Sequence, residues 1–369
     1  MTNLLFLGAG EVFSYIGYIL LAILVVLVMI TIHELGHYLA GKIFKFGINE
    51  FAIGFGPALF KKKLKSGEDF SIRALPIGGF CSFKGEDEEN VDPNAFNNKA
   101  WWKRLIVLIS GAFMNYILAL LVITITFGIY GQALLVTHYV EGPTAEYSEE
   151  VSFKTDDIIL KVEGKNVFLS TNMMSALNGK RQGDKVKFLI KTEVDGKYVE
   201  MEKEIMLRAN ADFDSIEKVD LLYEVLGISS DGLYSTRVHF GFFETLGRSF
   251  LYSFEIAGTI FMVLGQLLTG KLGLSAMGGT ITTITVTADM IKMGGLYSLL
   301  QMTSFIGVNL AVMNLLPIPS LDGARAVFTV VEGITKKPLN RKLEGIIHLI
   351  GLIVILAFAV LLDLQQCFY

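Results

Sequence analysis

Residues 13–32, FSYIGYILLAILVVLVMITI, carry no charged side chain. A helix of about 20 such residues crosses the roughly 30 Å apolar core of a bilayer. Residues 105–137 and 293–321 are also uncharged, and residues 345–362 are apolar apart from His348. Four membrane spans are therefore predicted. The third ends in NLLPIPSLDG, whose prolines must break its helix. Composition agrees: 52% of the 369 residues are hydrophobic and 18% charged, against roughly 25% charged in soluble domains. A net charge of −4 gives no reason to expect nucleic acid. Few prolines and no repeats exclude a disordered chain.

Charge asymmetry orients the spans. No Lys or Arg precedes the first apolar run and no small-residue cleavage site follows it, so the start reads as a span and not a signal peptide. Residues 41–104 then hold eleven Lys and Arg, which places that loop in the cytoplasm and the N-terminus outside. Trp101 and Trp102 beside Lys103 and Arg104 suit an interfacial anchor. Residues 131–244 carry thirteen basic against twenty acidic side chains and no span. There KVKFLIK and YVEMEKEIML alternate by twos around Asp195-Gly196, a hairpin signal. DDIILKVEGKNV reads as a strand and turn, and TNMMSALNG as a short helix with Thr171 or Asn172 near its N-cap. The predicted organisation is a membrane core over 1–130, an extracytoplasmic α+β domain over 131–240, and a second membrane core over 241–369. Cys81 and Cys367 fall on opposite sides and are not expected to pair.

Residues 247–270 are apolar too. A full crossing there would put Arg325, Lys336, Lys337, Arg341 and Lys342 outside, against the preference of basic residues for the cytoplasm. It would also carry Glu255 into lipid. The segment is therefore read as a surface-lying or re-entrant helix on the outer side.

At the end of the first run stands TIHELGHYLA. His33 and His37 are four apart, on one helical face, and Glu34 follows the first of them: the HExxH pattern of two zinc ligands and a general base. Chance yields on the order of 0.004 such matches in a chain of this make-up. A capped helix end with solvated polar residues is the plain alternative, but ionisable groups at membrane depth are usually functional. Twenty residues from Phe13 climb about 30 Å, so the cluster sits near the cytoplasmic end of the first span. Zinc needs a third protein ligand and an open position. Asp322, at matching depth after the third span, is the best candidate. Two histidines and a carboxylate also suit other first-row ions.

These residues, with FAIGFGP (51–57), ALPIGGFCSFKGE (74–86), DPNAFNNKAWWKRLIVLISGAFMN (92–115), LGQLLTGKLGLSAMGGTITT (264–283) and NLAVMNLLPIPSLDGAR (309–325), resemble the intramembrane site-2 proteases, in the bacterial regulator-of-sigma-E protease branch. The resemblance implies that His33, His37 and Asp322 bind Zn2+ and that Glu34 is the catalytic base. It implies that Asn314 contacts the substrate backbone. Gly78, Gly79 and Phe80 would lie in a membrane-re-entrant β-loop that also binds substrate. Gly111 and Asn115 match its GxxxN motif, here expected to be structural. The outer domain resembles a PDZ domain beginning near YVEGPTAE. The implied activity is regulated intramembrane proteolysis: metalloendopeptidase cleavage of a single-span protein or signal-peptide remnant near the cytoplasmic side of the cell membrane, after a first protease has cut the same substrate. Two rivals remain. A non-catalytic scaffold would have no need of Glu34, and a transporter would be expected to show inverted repeats, of which the sequence has none.

Overall fold

The computed structural model describes residues 9–86, 91–137, 140, 144, 147–213, 216–228, 233–273, 278–337 and 340–368. They form two compact units, Met1–Ile123 with Leu274–Tyr369, and Thr124–Gly273. Each is described by itself.

In the first unit, the opening apolar run becomes α1 (Ala9–Ile43). It leads into a long antiparallel pair, β1 (Ile48–Lys63) and β2 (Asp69–Phe83). The pair is bent. Residues 50–53 of β1 bond residues 79–82 of β2 along one edge and residues 69–72 along the other. Between these ladders an apolar lobe projects, with Phe55, Leu59 and Leu75 exposed. Then α2 (Trp101–Tyr130) begins, its last turns belonging to the second unit. Val25 and Met29 of α1 pack with Leu118 of α2 and with Ile306, the last of these on α6 (Thr280–Asn314). A short α7 (Asp322–Thr335) and a long α8 (Arg341–Phe368) complete the unit. Cys81 is a free thiol in β2; the side chain of Cys367 lies outside the described residues.

The third apolar segment differs from the prediction of 293–321 at both ends. Its helix starts at Thr280 and stops at Asn314. Asp289 and Lys292 hid the first half from a search for uncharged residues. That half is nonetheless held, because the Asp363 carboxylate accepts the backbone N–H groups of Ile281 and Thr282, both at 3.0 Å. Gly295 kinks the helix midway with φ 57°, a conformation that favours glycine. At the far end Pro317 and Pro319 turn the chain, so residues 315–321 form a turn and Asp322 opens α7.

The hairpin is tied to α1 through Glu68. Its carboxylate accepts from Tyr38 Oη and Ser66 Oγ at 2.8 Å and pairs with Lys42 Nζ at 2.7 Å. Burial pushes this carboxyl up, but those partners outweigh it and hold it at about 2, against an ordinary 4.5. A depressed carboxyl stabilises the fold above its unfolded pKa and loses that contribution as pH falls through the folded value. Here the window runs from about 4.5 down to about 2. Glu68→Gln is expected to remove on the order of 3 kcal/mol at pH 7. Thermal unfolding in detergent should show wild type and variant far apart at pH 7 and converging toward pH 2; a constant gap would contradict this.

The second unit holds an antiparallel sheet whose strands lie side by side as Lys197–Met206, Lys185–Val194, Ile158–Val162, Gln132–Thr137 and Leu233–Val238, with Lys165–Asn166 beside the third. In chain order these are β3 (Gln132–Thr137), β4 (Ile158–Val162), β5 (Lys165–Asn166), α3 (Ser170–Leu177), β6 (Lys185–Val194), β7 (Lys197–Met206), α4 (Leu221–Leu226), β8 (Leu233–Val238) and α5 (Phe242–Leu268). Asp195 and Gly196, at φ 50° and 77°, join β6 to β7. Two successive positive φ values are what a two-residue hairpin turn demands. The N-cap of α3 is Leu169; Asn172 stands further in, and its side-chain oxygen accepts the Leu169 N–H at 2.9 Å. Most of YVEGPTAE lies outside the described residues.

Among the described residues five helices, α1, α2, α5, α6 and α8, are long and apolar enough to cross a membrane, against the four spans predicted. The fifth, α5, is the 247–270 segment, extended and unbroken. It belongs to the second unit, whereas the sequence grouped it with 241–369. The first half of its buried face is polar, and Ile256 and Ile260 are buried further along. Thr245, Arg248, Ser249 and Ser253 are buried, while Phe243, Phe250, Phe254, Phe261 and Leu268 are exposed. Arg248 Nε donates to Gln132 Oε1 at 2.6 Å, and Asn172 Nδ2 to Glu255 Oε2 at 2.6 Å. Glu255 is thus partnered by the domain.

Candidate metal centre

The helical spacing that puts His33 and His37 on one face of α1 also points them at the start of α7. His33 Nε2 lies 2.9 Å from Asp322 Oδ2, His37 Nε2 lies 3.2 Å from the same oxygen, and the two nitrogens are 3.1 Å apart. Tetrahedral ligands at roughly 2.0–2.1 Å from zinc sit about 3.3 Å from one another. Each edge of this triangle is within a few tenths of an ångström of that. His33 and His37 are buried and Asp322 is partly so.

Neighbours prepare the imidazoles. His37 Nδ1 is 2.8 Å from the Val107 carbonyl. A carbonyl can only accept, so Nδ1 carries the proton and Nε2 is left bare. His33 Nδ1 is 3.4 Å from the Asn115 amide, whose Oδ1 is buried with no hydrogen-bond partner. A half-turn of the amide puts that oxygen on His33 Nδ1–H, which gives the orphaned atom its donor and bares His33 Nε2. The donor set therefore fits a zinc ion, with the outer hydrogen bonds such a site uses to orient its ligands. Gly111 allows the close crossing. A Cβ there would meet His37 Nε2 at 2.5 Å and His33 Nε2 at 2.7 Å.

Glu34 stands beside the triangle and outside it. The Cys81 backbone N–H bonds its carboxylate, and a Cβ on Gly79 would lie 3.5 Å from its Cγ. The edge of β2 carrying Gly78, Gly79 and Phe80 thus runs along the HExxH turn. Two cavities meet here. One of about 280 Å³ is lined by Glu34, His37, Phe80, Cys81 and Asp322, with an Arg325–Glu86 ion pair in its wall. The other, of about 290 Å³, is lined by His33, Glu34, Asn115, Asn314, Ser320 and Asp322. All of the sequence-derived site residues are therefore gathered in the first unit. Sequence reasoning missed the Val107 carbonyl and the contact of Asn115 with His33. The G-x-x-x-N spacing was the available signal for the latter.

The family model described as peptidase family M50 matches residues 21–358. A protein of Fusobacterium nucleatum, provisionally named a zinc metalloprotease, is 31% identical over 353 residues, covering 94% of this chain and 97% of its own. A similarly named protein of Clostridium perfringens is 30% identical over 362 residues, covering 95% and 99%. One from Brucella suis is 25% identical over 379 residues, covering 97% of each.

Proposed function

The chain belongs to peptidase family M50, the site-2 zinc metalloproteases, and on that premise we propose that it cleaves single-span membrane proteins or signal-peptide remnants within their apolar segment, near the cytoplasmic side. The observation that carries this is the triangle of His33, His37 and Asp322 with Glu34 beside it, directly after the uncharged run 13–32 of α1.

His33, His37 and Asp322 would hold the zinc. Bound there, zinc lowers the pKa of water to about 7 and polarises a carbonyl. Glu34 takes the proton of the attacking water and returns it to the leaving amine. Cys81 N–H fixes the carboxylate for that transfer. A helical substrate hides its scissile carbonyl and must unwind. The free edge of β2 at Gly78, Gly79 and Phe80 offers a strand for it to pair with, and Asn314 holds a freed backbone group. The exposed apolar lobe around Phe55 and Leu75 supports a β-loop dipping into lipid.

The second unit is an extracytoplasmic PDZ-like domain that screens substrates already trimmed by another protease. Its α5 lies in the outer interface, apolar face to lipid, in keeping with its buried Thr245, Arg248, Ser249 and Ser253. The topology then has four spans. With a single-span test substrate in detergent, the purified protein is expected to hold about one zinc per chain and to cleave. It should lose both on chelation and recover both on zinc addition. Zinc bound without cleavage of several such substrates would instead indicate a client-binding scaffold.

A further inference from the structure

The last helix has one polar side chain in its apolar stretch, His348, and the metal-site triangle does not use it. It is buried, with 8% exposure. Its Nδ1 accepts the backbone N–H of Ser320 at 2.9 Å. Ser320 has φ 85°, a left-handed conformation that L side chains rarely adopt without support. It stands two residues before Asp322, in the turn made by Pro317 and Pro319. Those prolines have no N–H to give, so Ser320 supplies a donor that lipid-depth surroundings cannot satisfy. Phe328 of α7 meets the His348 ring edge to face at 5.9 Å. One turn along α8, Gly351 lies against the same segment, where a Cβ would meet Pro319 Cβ and O at 2.5 Å.

We propose that His348 is a positioning residue for the metal site: by accepting the Ser320 N–H it locks the 317–321 turn in the one shape that delivers the Asp322 carboxylate to His33 and His37. The side chain acts through the backbone and touches neither metal nor substrate. Gly351 serves the same end by letting α8 approach the turn. The idea rests on the metal site proposed above, but its test does not depend on proteolysis.

The test is zinc affinity of the full-length protein in detergent, measured by competition with a chromophoric chelator, for wild type, His348→Leu, His348→Asn, His348→Gln and Gly351→Ala. An Asn side-chain oxygen reaches the place of imidazole Nδ1; a Gln oxygen reaches the place of Nε2. Outer hydrogen bonds to a metal site are worth roughly 10–100-fold in affinity. The Leu, Gln and Gly351→Ala proteins should weaken by that order, and Asn should stay close to wild type. Cleavage should fall in the same ranking. A Leu variant that binds zinc as tightly as wild type overturns the proposal. Should the Leu variant not fold, Asn and Gln decide, and equal affinities overturn it. If wild type binds zinc with this ranking yet cuts nothing, the positioning role stands and the protease reading falls.

Discussion

Replacing Glu34 with Gln is expected to slow cleavage by roughly 10²–10⁴ while zinc stays at about one per chain. The geometry separates the two effects. The metal triangle is closed by His33, His37 and Asp322 alone, and Glu34 is a neighbour that contributes no edge. Glutamine keeps the shape and can still accept the Cys81 N–H, so the β2 edge is held as before. What it lacks is the capacity to take a proton. Metal analysis and peptide-bond cleavage on the same sample read both arms. Equal cleavage by wild type and variant would remove Glu34 from the mechanism, and loss of zinc would make it a ligand.

A change with no chemistry of its own should be nearly as damaging. Gly111→Ala places a methyl group 2.5–2.7 Å from ring atoms of both His33 and His37. Carbon contacts are favourable only near 3.5–4.0 Å, so one side has to move. The obstruction is on a helix interior of α2, where the backbone cannot yield locally. The imidazoles must therefore tilt, which breaks the 2.8 Å bond to the Val107 carbonyl and opens the triangle. Loss of zinc affinity and of activity by roughly 10–100-fold is expected, the order that ligand orientation is worth. The matched control is Gly128→Ala, further along the same helix, where a Cβ meets nothing within 4 Å. Wild-type zinc binding in the Gly111 variant would show that the imidazoles do not depend on the close crossing.

How much of this was legible depended on whether the signal was local. Helical spacing alone puts His33 and His37 on one face, and Asp195-Gly196 requires the turn it makes. Pro317 and Pro319 end the third helix as they must. The start of that helix was not legible, because Asp289 and Lys292 broke the apolar pattern while the cap that holds it comes from Asp363, 82 residues from Ile281. The faces of α5 were half legible. A 3.6-residue period says that two faces differ, not which of them a neighbouring domain covers. The contacts of Asn115 with His33 and of His348 with Ser320 join residues 82 and 28 apart. Each depends on how one helix packs against a distant segment, and no spacing rule encodes that.

The central claim is that the cut falls inside lipid, and the position of the scissile bond tests it most directly. The protein would be reconstituted in vesicles with a single-span substrate, and both product termini read by mass spectrometry. The account predicts a zinc-dependent cut within the substrate's apolar segment, toward the cytoplasmic end, in keeping with the proposed ligands His33 and His37 standing deep in a helix that begins at Ala9. A cut in the soluble flank, or one that persists after chelation, would contradict it.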